Sequence, residues 1–167
     1  ATLSSFAAVL FTKNAKVTML AFAVGFLGGV PTALVLFING LSLGALSAVY
    51  ASRGLSLEFW GWILPHGVTE LLAILIGGAS GLQIGGRVLF PGPGGRRYAL
   101  AQAGRESGAR VMGAVCMLLL AALLEGFFRQ TVHHLGVRAA VALTTALFWG
   151  YYFGWVGSRQ RPGTEAA

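Results

Sequence analysis

The sequence predicts an all-α protein built as a polytopic bundle of transmembrane helices, and its composition and apolar runs carry that prediction. Hydrophobic residues make up 56% of the 167 residues and charged residues only 10%, whereas soluble domains carry about 25% charged residues. The mean hydropathy is +0.74. A chain of this length cannot bury so much apolar surface in a globular core. Lipid must therefore cover the remainder.

The apolar runs predict about four full spans and one broken helix pair. Crossing the hydrocarbon takes about 20 residues, which the first nine-residue run, 4–12, does not reach. The next run begins after Asn14, a suitable N-cap. Two shorter runs, 41–51 and 57–64, favour a re-entrant pair, which a membrane tolerates only where protein buries the broken backbone. The alternative is that residues 40–66 pair into additional tilted spans. The full spans are expected at residues 17–38, 68–86, 111–131 and 139–157.

Glycine and proline mark the expected breaks in these helices. Gly28, Gly29 and Pro31 lie inside the first span, where proline removes a backbone donor and kinks a helix. Pro65 and Gly67 are expected to end the re-entrant pair.

Basic residues flank the spans, and their imbalance predicts an orientation. With four spans, most Lys and Arg residues share one side, which the positive-inside rule places in the cytoplasm with both termini. Within a single transmembrane domain over 1–167, residues 87–110 are expected to form a basic cytoplasmic loop with a surface helix over 98–107. A first residue of Ala1 is compatible with a domain that forms the C-terminal part of a longer chain. The cytoplasmic set is Lys13, Lys16, Arg87, Arg96, Arg97, Arg105, Arg110, Arg159 and Arg161.

These flanking residues account for the net charge of +7, and the basic stripe of a nucleic-acid-binding protein is missing from the pattern. The expected partners are the lipid bilayer and other membrane or cell-envelope proteins, with no nucleic acid. A homodimer is a further option. Cys116 is the only cysteine, which excludes an intrachain disulfide.

Five polar residues in or beside the apolar spans predict one buried cluster. They are Asn39, His66, Glu70, Glu125 and Arg129. Ionisable groups inside a membrane are costly and need partners. His66 and Glu70 share a helix face, and Glu125 and Arg129 have the same spacing, which allows an ion pair. The predicted topology places all five at similar depth in the outer half of the bilayer, beneath the re-entrant pair.

The helix face of His66 and Glu70 continues over Gly77, Gly81 and Gly85. Small residues allow a neighbouring helix to approach closely. We therefore predict Gly77 and Gly81 as helix-packing positions.

The polar cluster has three interpretations: charge neutralisation within the fold, passage of an ion or small solute, and docking of a partner. His66 with Glu70 supplies too few ligands to predict a metal site. A nucleophile elbow around Ser80 is incomplete, and the two-histidine zinc spacing is missing. No catalytic residue, metal or cofactor is therefore expected.

Three segments resemble conserved blocks of the stage II sporulation protein M family. They are residues 26–32 with 37–40, residues 65–71 and residues 121–127. In order and spacing the resemblance covers roughly residues 10–157. It implies a polytopic bacterial inner-membrane protein with no known catalytic activity. The namesake of the family anchors the stage II sporulation proteins P and D, which degrade and remodel peptidoglycan during engulfment.

The resemblance favours a non-catalytic membrane scaffold that anchors partner proteins, which in the family are peptidoglycan-remodelling enzymes. The alternative is an oligomeric channel or transporter subunit that uses the polar cluster, because broken helices near buried charges are typical of transport sites. A scaffold predicts a packed bundle without a continuous cavity. A transporter predicts a water-accessible path to Glu70 or Glu125.

Overall fold

A computed structural model describes residues 3–128, 131–132 and 134–159 of the chain. Among these residues, five helices are long and apolar enough to cross a membrane, which confirms the predicted all-α, multi-pass architecture. The helices are α1 (Leu3–Ala23), α2 (Val30–Ala51), α3 (Ser56–Leu89), α4 (Gly95–Leu123) and α5 (Leu135–Tyr151). A 3-10 turn at Val24–Leu27 extends α1, and a π-helical turn at Leu124–Phe128 extends α4. Helix α5 continues into a π-helical turn at Tyr152–Val156 and a final turn at Gly157–Arg159.

The chain reverses direction at Gly28 and Gly29, where a continuous span over 17–38 was expected. Both residues adopt left-handed backbone conformations, with φ of 78° and 81°, and the Gly28 N–H donates to the Gly25 carbonyl. Two consecutive left-handed residues end a helix. Pro31 then lies in the first turn of α2, where its missing N–H costs nothing.

The predicted re-entrant pair is replaced by two continuous helices. Because α2 begins at Val30, the run 41–51 is the second half of a full-length helix, and Asn39 lies inside it. The run 57–64 is the first part of α3, which continues through Pro65. The described residues therefore form five span-length helices in place of four spans and a broken pair.

Helices α3 and α4 are longer than a bilayer is thick. The candidate spans are Ser56–Leu89, with 34 residues, and Gly95–Gly126, with 32 residues. These lengths correspond to about 50 Å at 1.5 Å per residue, against about 30 Å of hydrocarbon. The region 87–110, expected as a loop with one surface helix, is helical except for residues 90–94, which connect α3 to α4. The arginines of α4 lie on its exposed face.

Helices α1, α3 and α5 run in the same direction. Thr18 lies against Gly77, and Gly29 lies against Gly85 further along both segments. Helix α5 starts beside Gly61, near the start of α3. The start of α1 and the end of α5 therefore lie at opposite ends of the bundle, whereas the expectation of both termini on one side assumed four spans.

One end of the bundle, which we call the basic end, combines the α3–α4 connection with the end of α5. The other end contains only Arg53, Glu58 and Arg138 among the described charged residues. Lys13 and Lys16, assigned above to the cytoplasmic flank, are exposed residues within α1. The basic end comprises Arg87, Arg96, Arg97, Arg105, Arg110 and Arg159.

Small residues bring α1 and α2 close to α3. A methyl group at Gly77 would lie 2.5 Å from Thr18 Cγ2, and one at Gly81 would overlap the Ala21 carbonyl oxygen. The Thr32 hydroxyl donates to that same carbonyl at 2.7 Å. At Gly67 the nearest group is the Ile63 side chain of the same helix, so this glycine does not mark a contact between helices.

Candidate functional site

Three ionisable side chains from two helices converge in the half of the bundle away from the basic end. His66 and Glu70 project from successive turns of α3, and Glu125 projects from the π-helical turn after α4. Each side chain offers one donor atom, and these atoms lie within 4.8 Å of one another. We call these three residues the His-Glu-Glu cluster.

The central contact of the His-Glu-Glu cluster joins α3 to α4. His66 Nε2 lies 3.5 Å from Glu125 Oε2, and both residues are only 5% exposed. Glu70 is partly buried. Because burying a charge is costly unless it is neutralised, this contact favours opposite charges or a shared proton or cation between the two helices.

The backbone at Glu125 departs from a regular α-helix. Residues Leu124–Phe128 form a π-helical turn, a feature that is found frequently at functional sites because it displaces side chains from their regular helical positions. The turn places Glu125 inside the bundle at the level of His66, near the end of the apolar part of α4.

Helices α1 and α2 complete the surroundings of the cluster. Asn14 of α1 lines the same cavity as Glu70. Asn39 and Ser42 of α2 line the same cavity, whose volume is about 320 Å³ and which reaches both Glu70 and Glu125. Four helices therefore contribute polar groups to one cavity.

The cavity is bounded on the side of the basic end by close helix contacts. Thr18 packs on Gly77, Leu36 packs on Gly78, and Thr32 packs on Gly81. These contacts bring α1 and α2 against α3 between the His-Glu-Glu cluster and the basic end. The arrangement confines the His-Glu-Glu cluster to a cavity within one half of the bundle.

The structure brings together four of the five residues predicted for the polar cluster. His66, Glu70 and Glu125 adjoin one another, and Asn39 lines their cavity. Arg129 lies outside the described residues, so its predicted ion pair with Glu125 does too. The expected position beneath a re-entrant pair is replaced by a position between α1, α2, α3 and the end of α4.

Sequence reasoning missed Asn14 as a cluster residue. It was interpreted as an N-cap, but it lies in the middle of α1. A signal was present, because Asn14, Thr18, Ala21 and Gly25 recur at helical spacing and form the stripe that faces α3. Treating 4–12 as too short to span cut this helix and hid the stripe.

The His-Glu-Glu cluster can hold a proton, a metal ion or the polar group of a partner. Imidazole and carboxylate groups accept and donate protons, and both are common metal ligands. Within the described residues no other group of three such side chains converges in this way.

Comparison with known proteins identifies one family. The model of the family described as stage II sporulation protein M matches residues 1–129, which include α1 to α4 and every residue of the His-Glu-Glu cluster. No curated protein matches the chain, and no solved structure does.

Proposed function

The chain belongs to the stage II sporulation protein M family, and from that premise we propose that it is a non-catalytic scaffold of the bacterial inner membrane. Its task in this proposal is to anchor cell-envelope proteins, specifically enzymes that remodel peptidoglycan. Family membership and the five span-length helices support a multi-pass membrane protein of this family. The anchoring role rests on the exposed surface of α2 and α5.

The observation that carries the proposal is the exposure of α2 and α5. In the most apolar stretch of each of these two helices, only 6% of the residues are buried inside the bundle. The corresponding share is 44% for α3 and 39% for α4. Helices that are apolar but scarcely packed within one chain offer their surfaces to lipid or to the transmembrane helices of partners. We propose that partner anchor helices bind there. The exposed side chains include Phe37, Ile38, Leu41, Leu143, Leu147 and Phe148.

The charge distribution supports an orientation with the basic end in the cytoplasm. The end of α5 then lies in the cytoplasm and the start of α1 on the other side. The His-Glu-Glu cluster lies in the outer half of the membrane in this orientation, closer to the peptidoglycan than to the cytoplasm.

Site-specific crosslinking tests the scaffold. A photoreactive amino acid at Phe37 or Leu147 should crosslink to a peptidoglycan hydrolase in native membranes, because both side chains are about 64% exposed. The matched control is the same photoreactive residue at Ala73, which is buried. Crosslinks to lipid alone at both exposed positions, or equal capture from Ala73, would contradict the proposal.

A second candidate function is supported by the cavity of about 320 Å³ at Glu70 and Glu125. We infer that an oligomer of the chain could pass a proton, ion or small solute through this site. Proteoliposomes with the wild-type chain should then show flux that Glu70→Gln and Glu125→Gln abolish. Glu106→Gln is the control, because Glu106 is exposed on α4. Wild-type liposomes without flux would eliminate this candidate.

A further inference from the structure

We propose that His66, Glu70 and Glu125 bind one divalent first-row transition-metal ion, with zinc as the best fit. The proposal goes beyond the scaffold function, which requires no metal. Its basis is the convergence of the three side chains, which neither helix alone provides. The sequence brings two of the ligands together on α3, and only the packing of α4 adds the third.

The types of donor restrict the ion. One imidazole nitrogen and two carboxylate oxygens suit Zn²⁺, Mn²⁺ or Fe²⁺, whereas Cu⁺ prefers thiolate or thioether sulfur. Calcium takes six to eight oxygen ligands, more than the three groups supply. Among the divalent ions that suit the set, zinc binds more tightly than manganese or iron.

The spacing of the donors is close to that of a coordination sphere. Metal–ligand bonds of about 2.0–2.2 Å in a tetrahedral site place neighbouring donor atoms roughly 3.3–3.6 Å apart. His66 Nε2 and Glu125 Oε2 are already 3.5 Å apart. The Glu70 donor lies within 4.8 Å of both, so a rotation of its flexible side chain brings it to bonding distance.

Burial and charge favour a cation at this position. Two carboxylates close together in a membrane interior repel each other, and a divalent ion neutralises both. The Oε1 atom of Glu70 is buried and has no hydrogen-bond partner among the described residues. Glu70 therefore presents a carboxylate oxygen that is available for a ligand.

Three protein ligands leave at least one coordination position open. That position would face the cavity lined by Asn39 and Ser42, where water or a polar group of a partner can occupy it. Zinc sites with three protein ligands keep an open position of this kind. Because its ligands come from α3 and α4, the ion would also tie these two helices together and stabilise the bundle.

Metal binding by the purified full chain tests the proposal. After removal of the affinity tag and treatment with a chelator, zinc chloride is titrated into the protein in detergent and followed by calorimetry and elemental analysis. We expect one zinc per chain. The variants Glu70→Gln and His66→Gln should weaken zinc binding by about 10- to 100-fold or more, because each removes a ligand.

Exposed residues of the same types provide matched controls. Glu106→Gln and His134→Gln change an exposed carboxylate and an exposed imidazole, and both variants should bind zinc as the wild type does. Binding that survives Glu70→Gln and His66→Gln, or that disappears in His134→Gln, would overturn the proposed site. So would a wild type that takes up no zinc at micromolar concentration.

A second measurement separates ligand loss from misfolding. Zinc should raise the thermal midpoint of the wild type and of Glu106→Gln but leave that of Glu70→Gln unchanged. Cobalt bound to the wild type should give visible absorption bands that change on replacement of His66. Equal thermal shifts in the wild type and Glu70→Gln would count against the site. Neither readout depends on flux or on a partner, so the metal proposal and the two candidate functions can fail separately.

Discussion

At the scale of single residues, specific hydrogen bonds between polar side chains and neighbouring helices hold parts of the bundle together. Thr32 of α2 donates to the Ala21 carbonyl of α1 at 2.7 Å. The indole N–H of Trp149 on α5 donates to Thr69 on α3 at 2.9 Å. In a membrane the alternative to such a bond is an unsatisfied group in hydrocarbon, so each polar pair fixes one contact between helices.

The Trp149–Thr69 bond should contribute measurably to the attachment of α5. Thr69→Val keeps the shape of the side chain but removes the acceptor, and we expect a loss of about 1 kcal/mol in the free energy of unfolding. Thr144→Val is the control, because Thr144 is exposed and donates to Ala140 within its own helix. Unfolding in mixed micelles with tryptophan fluorescence as the readout measures both. Equal effects of the two variants would contradict the role of this bond.

At the scale of helices, glycine decides where the chain turns and how closely its helices pack. Gly28 and Gly29 reverse the chain between α1 and α2. Gly77, Gly81 and Gly85 on α3 pack so closely against that hairpin that a methyl group at any of the three would overlap it. The hairpin and the glycine face of α3 therefore form one packing unit.

Replacing a glycine of this packing unit should destabilise the protein. Gly81→Ala places a methyl group on the Ala21 carbonyl and 3.0 Å from Thr32 Oγ1, and overpacking of this kind costs about 1–3 kcal/mol. Gly86→Ala in the same helix meets nothing within 4 Å and should be neutral or slightly stabilising. Thermal unfolding in detergent distinguishes the two variants. A Gly81→Ala variant as stable as the wild type would show that α1 does not approach α3 this closely.

The chain reversal should depend on the left-handed conformation of Gly28. Gly28→Ala should cost about 1–2 kcal/mol, because a side chain at φ of 78° is strained. Gly44→Ala lies within α2 with open space around it, and there alanine should stabilise the helix by up to about 1 kcal/mol. Opposite signs are expected for the two variants in the same unfolding assay. A stabilising Gly28→Ala would favour a continuous helix across 17–38.

At the scale of the whole molecule, the topology follows from the odd number of span-length helices, five, among the described residues. With five crossings, the α1–α2 turn lies at the same end as the α3–α4 connection, because Gly28 lies against Leu89. The basic end thus collects this turn, the arginines of α3 and α4, and the end of α5. Four spans would instead place residue 30 near the middle of the bilayer.

Cysteine labelling distinguishes these topologies. In a Cys116→Ala background, a cysteine at Val30 should react with a membrane-impermeant maleimide from the same side as one at Arg97, because Val30 is 74% exposed at the basic end. A cysteine at Arg53 should react from the opposite side. Labelling of right-side-out and inverted vesicles measures this. Failure of Val30 to react from either side, with Arg97 reactive, would support the four-span topology.

The polar cluster was partly accessible to sequence reasoning because helix periodicity is local. The spacing of His66 and Glu70 and the glycines beyond them follow from residues on one helix. Asn14 was missed because its helix was cut at Lys13, where charged residues were taken as the boundary of a span. A lysine can stay inside such a helix, since its long side chain carries the charge toward the interface.

Hydropathy, periodicity and motifs are properties of local sequence. They are therefore enough to identify a helical membrane protein, the residues that are costly in lipid and the blocks of the family. Tertiary structure decided that the glycine pair at 28–29 is a turn and that the segments on either side of Arg53 belong to two full helices. The packing of α4 against α3 likewise determines that Glu125 Oε2 lies 3.5 Å from His66 Nε2. A glycine pair can lie in a helix or end one, and only the packing of α1 and α2 against the glycine face of α3 selects the turn. Distances between helices depend on that packing, so the convergence of three ligands cannot be read from any single helix.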